Sequence, residues 1–314
     1  MIDFHHYMYS GNAGRKECKV KMKVKNYSYE TFPSYDKEIT GIIELNGNKN
    51  NLRCRMLDVE YQDECMIRFL FPNTILDEDR KYPLVIHVQG SGWYKQDMND
   101  HIFDFMPLVK RGFAYAIVQY RHSPLYHFPT QIIDTKKAIR FIEKQANKYP
   151  IDINHLFLSG DSSGGHTALM TLLSYNLDLF DEGKTPLPPL KGCIDLYGPT
   201  NFLTMNEWFS KYDFFKEKNI IDLMGKDHLD EESLKKASPI NYIHKDMCLP
   251  PIFILHGSKD HVVPFTQSIE LYNCLKANQL DVTFARVKNA DHGRSIFYSD
   301  DVYNCIEDFL KSHL

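Results

Sequence analysis

Short apolar runs alternate with longer segments of helical spacing from about residue 55 to the end of the chain. The run Leu84–Val88 is nearly continuous, which suits a strand buried on both faces of a parallel sheet. Ile132, Ile139 and Ile142 fall on one face of a long helix that begins just after Pro129. Strands that alternate with helices need right-handed crossovers, so the sequence predicts an α/β fold with a mostly parallel sheet flanked by helices. The predicted strands lie near 57–61 and at 66–71, 84–88, 113–120, 156–159, 193–197, 251–256 and 282–287; the predicted helices span 101–111, 130–148, 164–173, 266–277 and 295–312.

Two regions depart from this alternation. Residues 1–55 are polar and irregular, and we expect an N-terminal arm followed by edge strands, with a turn at Gly47–Asn50. Residues 198–250 separate two predicted strands, although a crossover with its helix needs only about 10–20 residues. This aromatic-rich insert is either a cap over a pocket or a crossover helix with a small core of its own. Since no Gly/Ser linker divides the chain, we expect a single domain over residues 1–314.

Composition narrows the function classes. Of 314 residues, 43% are hydrophobic and 25% are charged, an ordinary globular composition. The 37 basic and 41 acidic residues leave no basic surplus, so we expect no nucleic-acid partner. No apolar run approaches the roughly 20 residues of a membrane span, and the N-terminus shows no signal-peptide pattern, so we expect no membrane association. The seven dispersed cysteines then predict reduced thiols in a cytoplasmic protein.

One serine lies at the centre of a strand, turn and helix pattern. The apolar run ends in Gly160-Asp161-Ser162-Ser163-Gly164, and an Ala- and Leu-containing helical segment follows. Gly160 and Gly164 leave room for the strand and the helix to pass close to Ser162, as in a nucleophile elbow. The N-terminus of the helix would point at this serine, where its free N–H groups favour a developing anion. We therefore predict Ser162 as a nucleophile.

A serine nucleophile needs a base and a carboxylate that orients the base. Asp260 lies in a turn after the strand 251–256, although an Asp in such a turn can also be a helix cap or a turn former. His292 follows the last predicted strand, and the order serine, acid, histidine selects it. His261 and His166 are the weaker candidates for the base. Asp291, beside His292, is interpreted as a solvated or turn residue because adjacent loop side chains usually diverge.

A loop rich in small residues follows the strand 84–88. Its sequence Gly90-Ser91-Gly92-Trp93 lets backbone N–H groups approach a substrate oxygen, with the N–H of Ser163 as a further donor. The alternative is a plain glycine-rich turn. It is not a dinucleotide-binding loop, because Lys95 occupies the position of the third glycine.

These motifs, with Tyr120-Arg121-His122-Ser123-Pro124 and with Phe128, Pro129, Gln131 and Asp134, resemble the α/β-hydrolase superfamily. Within it, the chain is similar to bacterial esterase/lipase proteins of the kind that includes bifunctional feruloyl and acetyl-xylan esterases. The resemblance runs from about residue 55 to the C-terminus. It implies that Ser162, His292 and Asp260 form the catalytic triad, and that N–H groups of Ser91, Gly92 and Ser163 form the oxyanion hole. Gln89 and Ser91 depart from the family's usual His and Gly, but backbone donors survive both changes.

The resemblance therefore implies a serine carboxylesterase for short-chain acyl esters, with acetyl or feruloyl groups on carbohydrates as family-level substrates. An amide-cleaving hydrolase of the peptidase or formamidase type, or a binding protein on the same fold, remains the alternative. The expected partner is a small-molecule ester, no metal or organic cofactor is required, and the sequence carries no signal for an oligomeric state. Trp93, Trp208 and Phe209 are the predicted pocket residues. Arg121 and Asp134 are predicted to be structural, as a semi-buried charge pair or a cap near the Ser162 turn.

Overall fold

The computed structural model describes residues 37, 40–41, 43–45, 47, 52–73 and 80–314, apart from 176, 178, 183–185, 212–217 and 294–295 and the side chains of 209–211. The chain divides into two compact units, Met1–Gly47 and Asn48–Leu314. Only isolated positions of the first unit are described, so most of the predicted N-terminal arm lies outside the described residues. All helices and strands below belong to the second unit.

A mostly parallel sheet forms the centre of this unit. The described residues give eight strands in the order β1-β2-β4-β3-β5-β6-β7-β8. The first pairs, β1 with β2 and β2 with β4, are antiparallel, and all other pairs are parallel. The α/β prediction is therefore confirmed. The strands are β1 Arg53–Gln62, β2 Cys65–Asn73, β3 Tyr82–Val88, β4 Ala114–Val118, β5 Ile151–Asp161, β6 Gly192–Leu196, β7 Ile252–Gly257 and β8 Val282–Val287.

Helices cover both faces of the sheet. Along β3, Leu84 and Ile86 pack into one hydrophobic core, and Val85 packs into the other, because successive strand residues point to opposite faces. The first core also contains apolar residues of α2, α3 and α7, and the second contains those of α1 and α8. The helices are α1 Ile102–Lys110, α2 Thr130–Gln145, α3 Ser163–Leu173, α4 Phe202–Lys211, α5 Lys218–Met224, α6 Glu231–Lys236, α7 Thr266–Ala277 and α8 Asp300–Ser312, with a 3₁₀ turn at Pro239–Tyr242.

The ends of some elements differ from the sequence prediction. The last helix begins at Asp300 instead of residue 295. Ser299 has an extended backbone, and Asp300 and Asp301 occupy the first turn, where acidic side chains favour the positive end of the helix dipole. Pro107 does not interrupt α1, which ends before Gly112, a glycine at φ 101°. None of the helices in the described part of the chain is long and apolar enough to cross a bilayer.

The insert 198–250 contains α4, α5, α6 and the 3₁₀ turn. Its buried residues, among them Phe202, Ile220 and Leu223, form a third core cluster together with Trp93 and Val263 from loops at the edge of the sheet. Burying each such side chain contributes about 1.5–3 kcal/mol, so the insert is anchored to those loops as well as to itself. The insert therefore has a core that it shares with the loops after β3 and β7.

Candidate active site

Ser162 occupies the sharp turn between β5 and α3. Its backbone has φ 51° and ψ −125°, a conformation that non-glycine residues rarely adopt. A Cβ at Gly160 would clash with the backbone of Gly164, and one at Gly164 would clash with the backbone of Val88. The turn is therefore strained and tightly packed, and glycines are required on both sides of Ser162. The backbone N–H of Ser162 donates to Leu196 O at 2.8 Å, which fixes the turn to β6.

A hydrogen-bonded chain connects Ser162, His292 and Asp260. His292 Nε2 lies 2.8 Å from Ser162 Oγ, and His292 Nδ1 lies 2.7 Å from Asp260 Oδ2. An Nδ1–H that donates to the carboxylate leaves Nε2 free to accept the serine hydroxyl proton. The structure thus brings together three residues that are 130 and 32 positions apart in sequence. This arrangement allows a proton to pass from the serine hydroxyl to a histidine that a carboxylate orients.

Asp260 is held rigidly and stays ionised. Its Oδ1 accepts the backbone N–H groups of Val262 and Val263, both at 2.8 Å. His256 Nε2 lies 3.2 Å from Oδ2, and the His256 side chain is fully buried. Burial alone would raise the pKa of Asp260, but the hydrogen bonds from His256 and His292 outweigh it and lower the pKa well below the usual value. The Asp260 carboxylate is therefore ionised at neutral pH, and in this charged form it accepts the hydrogen bond from His292.

The other histidines near the turn have different partners. His166 is buried; its Nε2–H donates to Ala237 O at 2.8 Å, and its Nδ1 accepts from Trp93 Nε1 at 3.2 Å. Burial lowers the pKa of His166 to about 4, so the ring is neutral and both nitrogens are occupied. His261 Nδ1 lies 2.5 Å from Asp291 Oδ1. Asp291 thus pairs with a solvent-exposed histidine and does not contact the His292 ring nitrogens.

The loop after β3 lies beside Ser162. Ser91 N–H donates to Ser163 Oγ at 2.9 Å, and the Ser91 hydroxyl donates to Tyr94 O at 2.6 Å. Gly92 adopts φ 63°, a left-handed conformation that glycine tolerates. Ser163 is the first residue of α3, where backbone N–H groups have no partner within the helix. The three predicted donor residues therefore lie together, with the N–H of Ser91 occupied by the side chain of Ser163.

Next to this loop lies a cluster of aspartate and histidine side chains that was not predicted from the sequence. Asp161 Oδ1 accepts Gly90 N–H at 2.7 Å and lies 3.0 Å from His87 Nε2. Its Oδ2 lies 3.4 Å from His101 Nε2, while His101 Nδ1 lies 3.1 Å from Asp104 Oδ2. Asp161 thus connects the turn before Ser162 to the loop after β3. The one signal in the sequence was His87, a polar residue inside an otherwise apolar buried strand.

Charge explains why this cluster is stable. Burial would disfavour a charged His101, but Asp161 and Asp104 raise its pKa to about 10. Burial would likewise raise the pKa of Asp161, but His101 and His87 lower it well below the usual value. His101 and Asp161 therefore form a charged pair at neutral pH. His101 also has a left-handed backbone at φ 64°. The positively charged member of the His101–Asp161 pair is therefore a residue with a strained backbone.

A cavity of about 320 Å³ opens onto Ser162 and His292. Trp93, one of the predicted pocket residues, lines this cavity, and the insert contributes Met205, Asn219 and Ile220. Among the described residues, Trp208 does not line the cavity; its side chain is half-buried and packs against the core cluster of the insert. The side chain of Phe209, the other predicted pocket residue, lies outside the described residues. In the described chain, no group of three or more His, Cys, Asp or Glu side chains could hold a metal ion.

Two further sequence predictions concern residues away from the cavity. Arg121 Nε and Nη2 donate to both carboxylate oxygens of the fully buried Asp134, and the backbone N–H of Arg121 donates to Oδ2 at 2.9 Å. The predicted structural charge pair is therefore present. The six cysteines among the described residues all carry free thiols.

Comparison with known proteins identifies the family. The BD-FAE family model matches residues 73–275, which include Ser162 and Asp260. The chain belongs to the BD-FAE family. Its match begins at the end of β2 and stops within α7, so it covers the Ser162 turn, the insert and Asp260, whereas His292 lies beyond it.

Curated relatives and solved structures agree with this assignment. Esterase LipQ of Mycobacterium tuberculosis is 29% identical over 243 residues, which are 74% of this chain and 55% of LipQ. The chain spans about half the length of the curated relatives that it matches. A structure described as a truncated form of a carbohydrate esterase from gut microbiota is 24% identical, with a TM-score of 0.70 over 85% of this chain and 98% of that one.

A second solved structure supports the same fold. The bifunctional GH43-CE protein of Bacteroides eggerthii is 27% identical, with a TM-score of 0.67, and the match covers 85% of this chain and 38% of that protein. Both neighbours have the α/β-hydrolase fold, and this chain has the mostly parallel sheet with flanking helices that is typical of it. The predicted α/β-hydrolase fold is therefore confirmed for this member of the BD-FAE family.

Proposed function

We propose that this BD-FAE family member is a serine carboxylesterase. The observation that carries the proposal is the hydrogen-bonded chain from Ser162 Oγ through His292 to Asp260, which opens onto a cavity. The names of its relatives, such as Esterase LipQ, support ester hydrolysis. An acid, a base and a nucleophile in this order and geometry serve acyl transfer.

The reaction would proceed through an acyl-enzyme. Ser162 Oγ attacks the ester carbonyl carbon while His292 Nε2 accepts the hydroxyl proton, and Asp260 stabilises the resulting imidazolium. His292 then returns that proton to the leaving alcohol, and the C–O bond to the alcohol breaks. Water, deprotonated by the same Nε2, attacks the acyl-enzyme and releases the carboxylic acid. The proton taken from Ser162 thus leaves with the alcohol. In the second half-reaction His292 takes a proton from water and returns it to Ser162 Oγ as the bond to the acyl group breaks, which regenerates the free enzyme.

The developing oxyanion would be bound by backbone N–H groups. Gly92 and Ser163 supply donors beside Ser162, and the N-terminus of α3 adds positive potential. The N–H of Ser91 is a third candidate. It joins the other two only when the Ser163 side chain releases it, because that side chain accepts it at 2.9 Å.

The cavity favours small acyl groups. Its volume of about 320 Å³ lies at the lower end for small-molecule sites, and apolar side chains such as Trp93 and Ile220 form its walls. We propose that the insert acts as the cap of this cavity. The carbohydrate esterases among the structural neighbours support acetyl or feruloyl groups on carbohydrates as the natural substrate class.

Hydrolysis of p-nitrophenyl esters from acetyl to octanoyl tests the proposal. We expect activity that peaks at short chains and falls by at least about 10³-fold in Ser162→Ala. Ser312→Ala, a change at the far end of the C-terminal helix, is the matched control and should retain activity. Activity that survives in Ser162→Ala would assign a different nucleophile. A folded wild-type protein that is inert on all esters would favour amide substrates or a binding role.

A further inference from the structure

Two polar side chains of the described cavity lining, Asp161 and Asn219, belong to neither the proposed triad nor the oxyanion donors, and the carboxylate of Asp161 is already occupied by Gly90 N–H, His87 and His101. Asn219, on α5 of the insert, lines the cavity together with Trp93, Met205, Ile220 and Val263, which are all apolar. Within the described residues, the Asn219 carboxamide has no hydrogen-bond partner in the protein. A half-buried amide beside apolar walls gains free energy when a ligand supplies the missing hydrogen bonds.

Asn219 faces the loop beside the nucleophile. A Cβ built on Gly92 would lie only 2.6 Å from Asn219 Nδ2, so the carboxamide is in close reach of the Gly92 backbone. Both residues line the cavity that contains Ser162 and His292. A group bound by Asn219 would therefore lie next to the carbonyl that Ser162 attacks.

The position of Asn219 is fixed by the packing of α5. Tyr94 O–H donates to Asp222 Oδ2 at 2.6 Å, which ties the helix to the loop after β3. Phe128 N–H donates to Leu223 O at 2.8 Å on the other side. Ile220 is buried in the insert's core cluster together with Trp93. These contacts hold the backbone of Asn219 in place, so only its own short side chain has to be ordered when a ligand binds, which favours a role in specificity.

We infer that Asn219 is a specificity-determining residue that hydrogen-bonds a hydroxyl group of the substrate, so that the preferred esters carry a hydroxyl close to the scissile bond. A carboxamide offers two N–H donors and one acceptor, and a hydroxyl both donates and accepts, so the two groups match. An alkyl chain of the same size would leave the amide unpaired. The inference rests on the proposed esterase function and narrows its substrate class to hydroxylated esters.

The hydroxyl can belong to the acyl part or to the alcohol part, and two matched ester pairs separate these sources. Methyl lactate and methyl propionate differ by a hydroxyl on the acyl side. The monoacetate of ethylene glycol and ethyl acetate differ by one on the alcohol side. Release of acid is followed at constant pH by titration, with wild type, Asn219→Leu and Asn219→Ala. Lys218→Ala, a change at an exposed neighbour on the same helix, is the control.

We expect wild type to prefer the hydroxylated member of one pair by about tenfold in kcat/KM, the value of one hydrogen bond of about 1.4 kcal/mol. Both Asn219 variants should lose that preference, and Lys218→Ala should keep it. An active wild type whose preference is unchanged in both Asn219 variants, or that shows no preference in either pair, would overturn this inference alone. A folded wild type inert on all four esters would overturn the proposed function together with it.

Discussion

Two buried aspartates near Ser162 share one arrangement, since each lies between two histidines. The Asp260 set consists of His256, Asp260 and His292, and the Asp161 set consists of His87, Asp161 and His101. In both sets the histidines lower the pKa of the aspartate. His292 and His101 are the more exposed histidines of their sets. The two sets differ in the group that the second ring nitrogen of that histidine contacts.

In the Asp260 set, His292 reaches a hydroxyl in the cavity, because its Nε2 lies 2.8 Å from Ser162 Oγ. In the Asp161 set, His101 has a second carboxylate, Asp104, on its other nitrogen. A histidine between a carboxylate and a hydroxyl can transfer a proton, whereas one between two carboxylates keeps its proton and acts as a fixed cation. The same residue types thus favour proton transfer in the Asp260 set, and in the Asp161 set they hold the loop after β3 in position through Gly90 N–H.

The largest expected effect is a loss of catalytic activity when the aspartate of the Asp260 set is changed. Asp260→Asn should lower kcat for ester hydrolysis by about 10⁴-fold, because a neutral amide neither holds the His292 tautomer nor stabilises the imidazolium. Steady-state kinetics with p-nitrophenyl acetate measure this loss. The unfolding midpoint in urea serves as the control for folding. A variant that keeps more than a tenth of the wild-type kcat would remove Asp260 from the proposed triad.

Asp161→Asn should act mainly on stability. The amide would place an N–H group against His101 Nε2–H and leave a buried cation with one carboxylate fewer, at a cost of about 3 kcal/mol. An amide oxygen can still accept Gly90 N–H, so we expect kcat to fall less than tenfold. Urea unfolding and kinetics on the same preparation compare the two effects. A loss of kcat as large as that of Asp260→Asn, without a loss of stability, would end the distinction between the two sets.

The Asp161 set also predicts a pH dependence of stability. The pKa of His101 is about 10 in the folded protein, against about 6.5 in an unfolded chain. Between these values the folded state holds a proton that the unfolded state has lost, so this contribution is complete below about pH 6.5 and disappears as the pH rises to about 10. The free energy of unfolding should therefore fall by up to about 1.4 kcal/mol per pH unit in that window.

His101→Gln tests this assignment, because the variant has no group that titrates at that position. Urea unfolding at several pH values between 7 and 9.5 gives the two slopes. We expect the variant to be less stable at pH 7 and to show a shallower decline than the wild type. Equal slopes in the two proteins would mean that His101 does not carry the extra proton.

Much of the molecule could be predicted from local pattern. The bounds of α7 and β8 coincide with the apolar periodicity of Thr266–Ala277 and Val282–Val287. The roles proposed for Ser162, Asp260 and His292 also follow from order along the chain, because each lies just after a strand of a parallel sheet. Residues at the carboxyl ends of such strands meet at one edge. Local signals were therefore enough to predict that these three residues, which are far apart in sequence, lie close together in the structure.

The contacts within the Asp161 set could not be predicted from local sequence patterns. His87 faces Asp161 only because β3 and β5 pair in the register that aligns His87 with Ser159. His101 joins them from the start of α1, through a left-handed residue that no periodicity indicates. The place of Asn219 likewise depends on how the insert packs on Trp93. In each case tertiary packing, not local propensity, brings the groups together.

Covalent labelling of the nucleophile tests the central claim most directly. A fluorophosphonate should add one phosphonyl group per chain, and peptide mass spectrometry should locate it on Ser162 and not on the adjacent Ser163. The label should be absent from Ser162→Ala and slow by orders of magnitude in His292→Ala, since Ser162 would lack its base. Labelling on another serine, or a rate that does not depend on His292, would contradict the proposed triad.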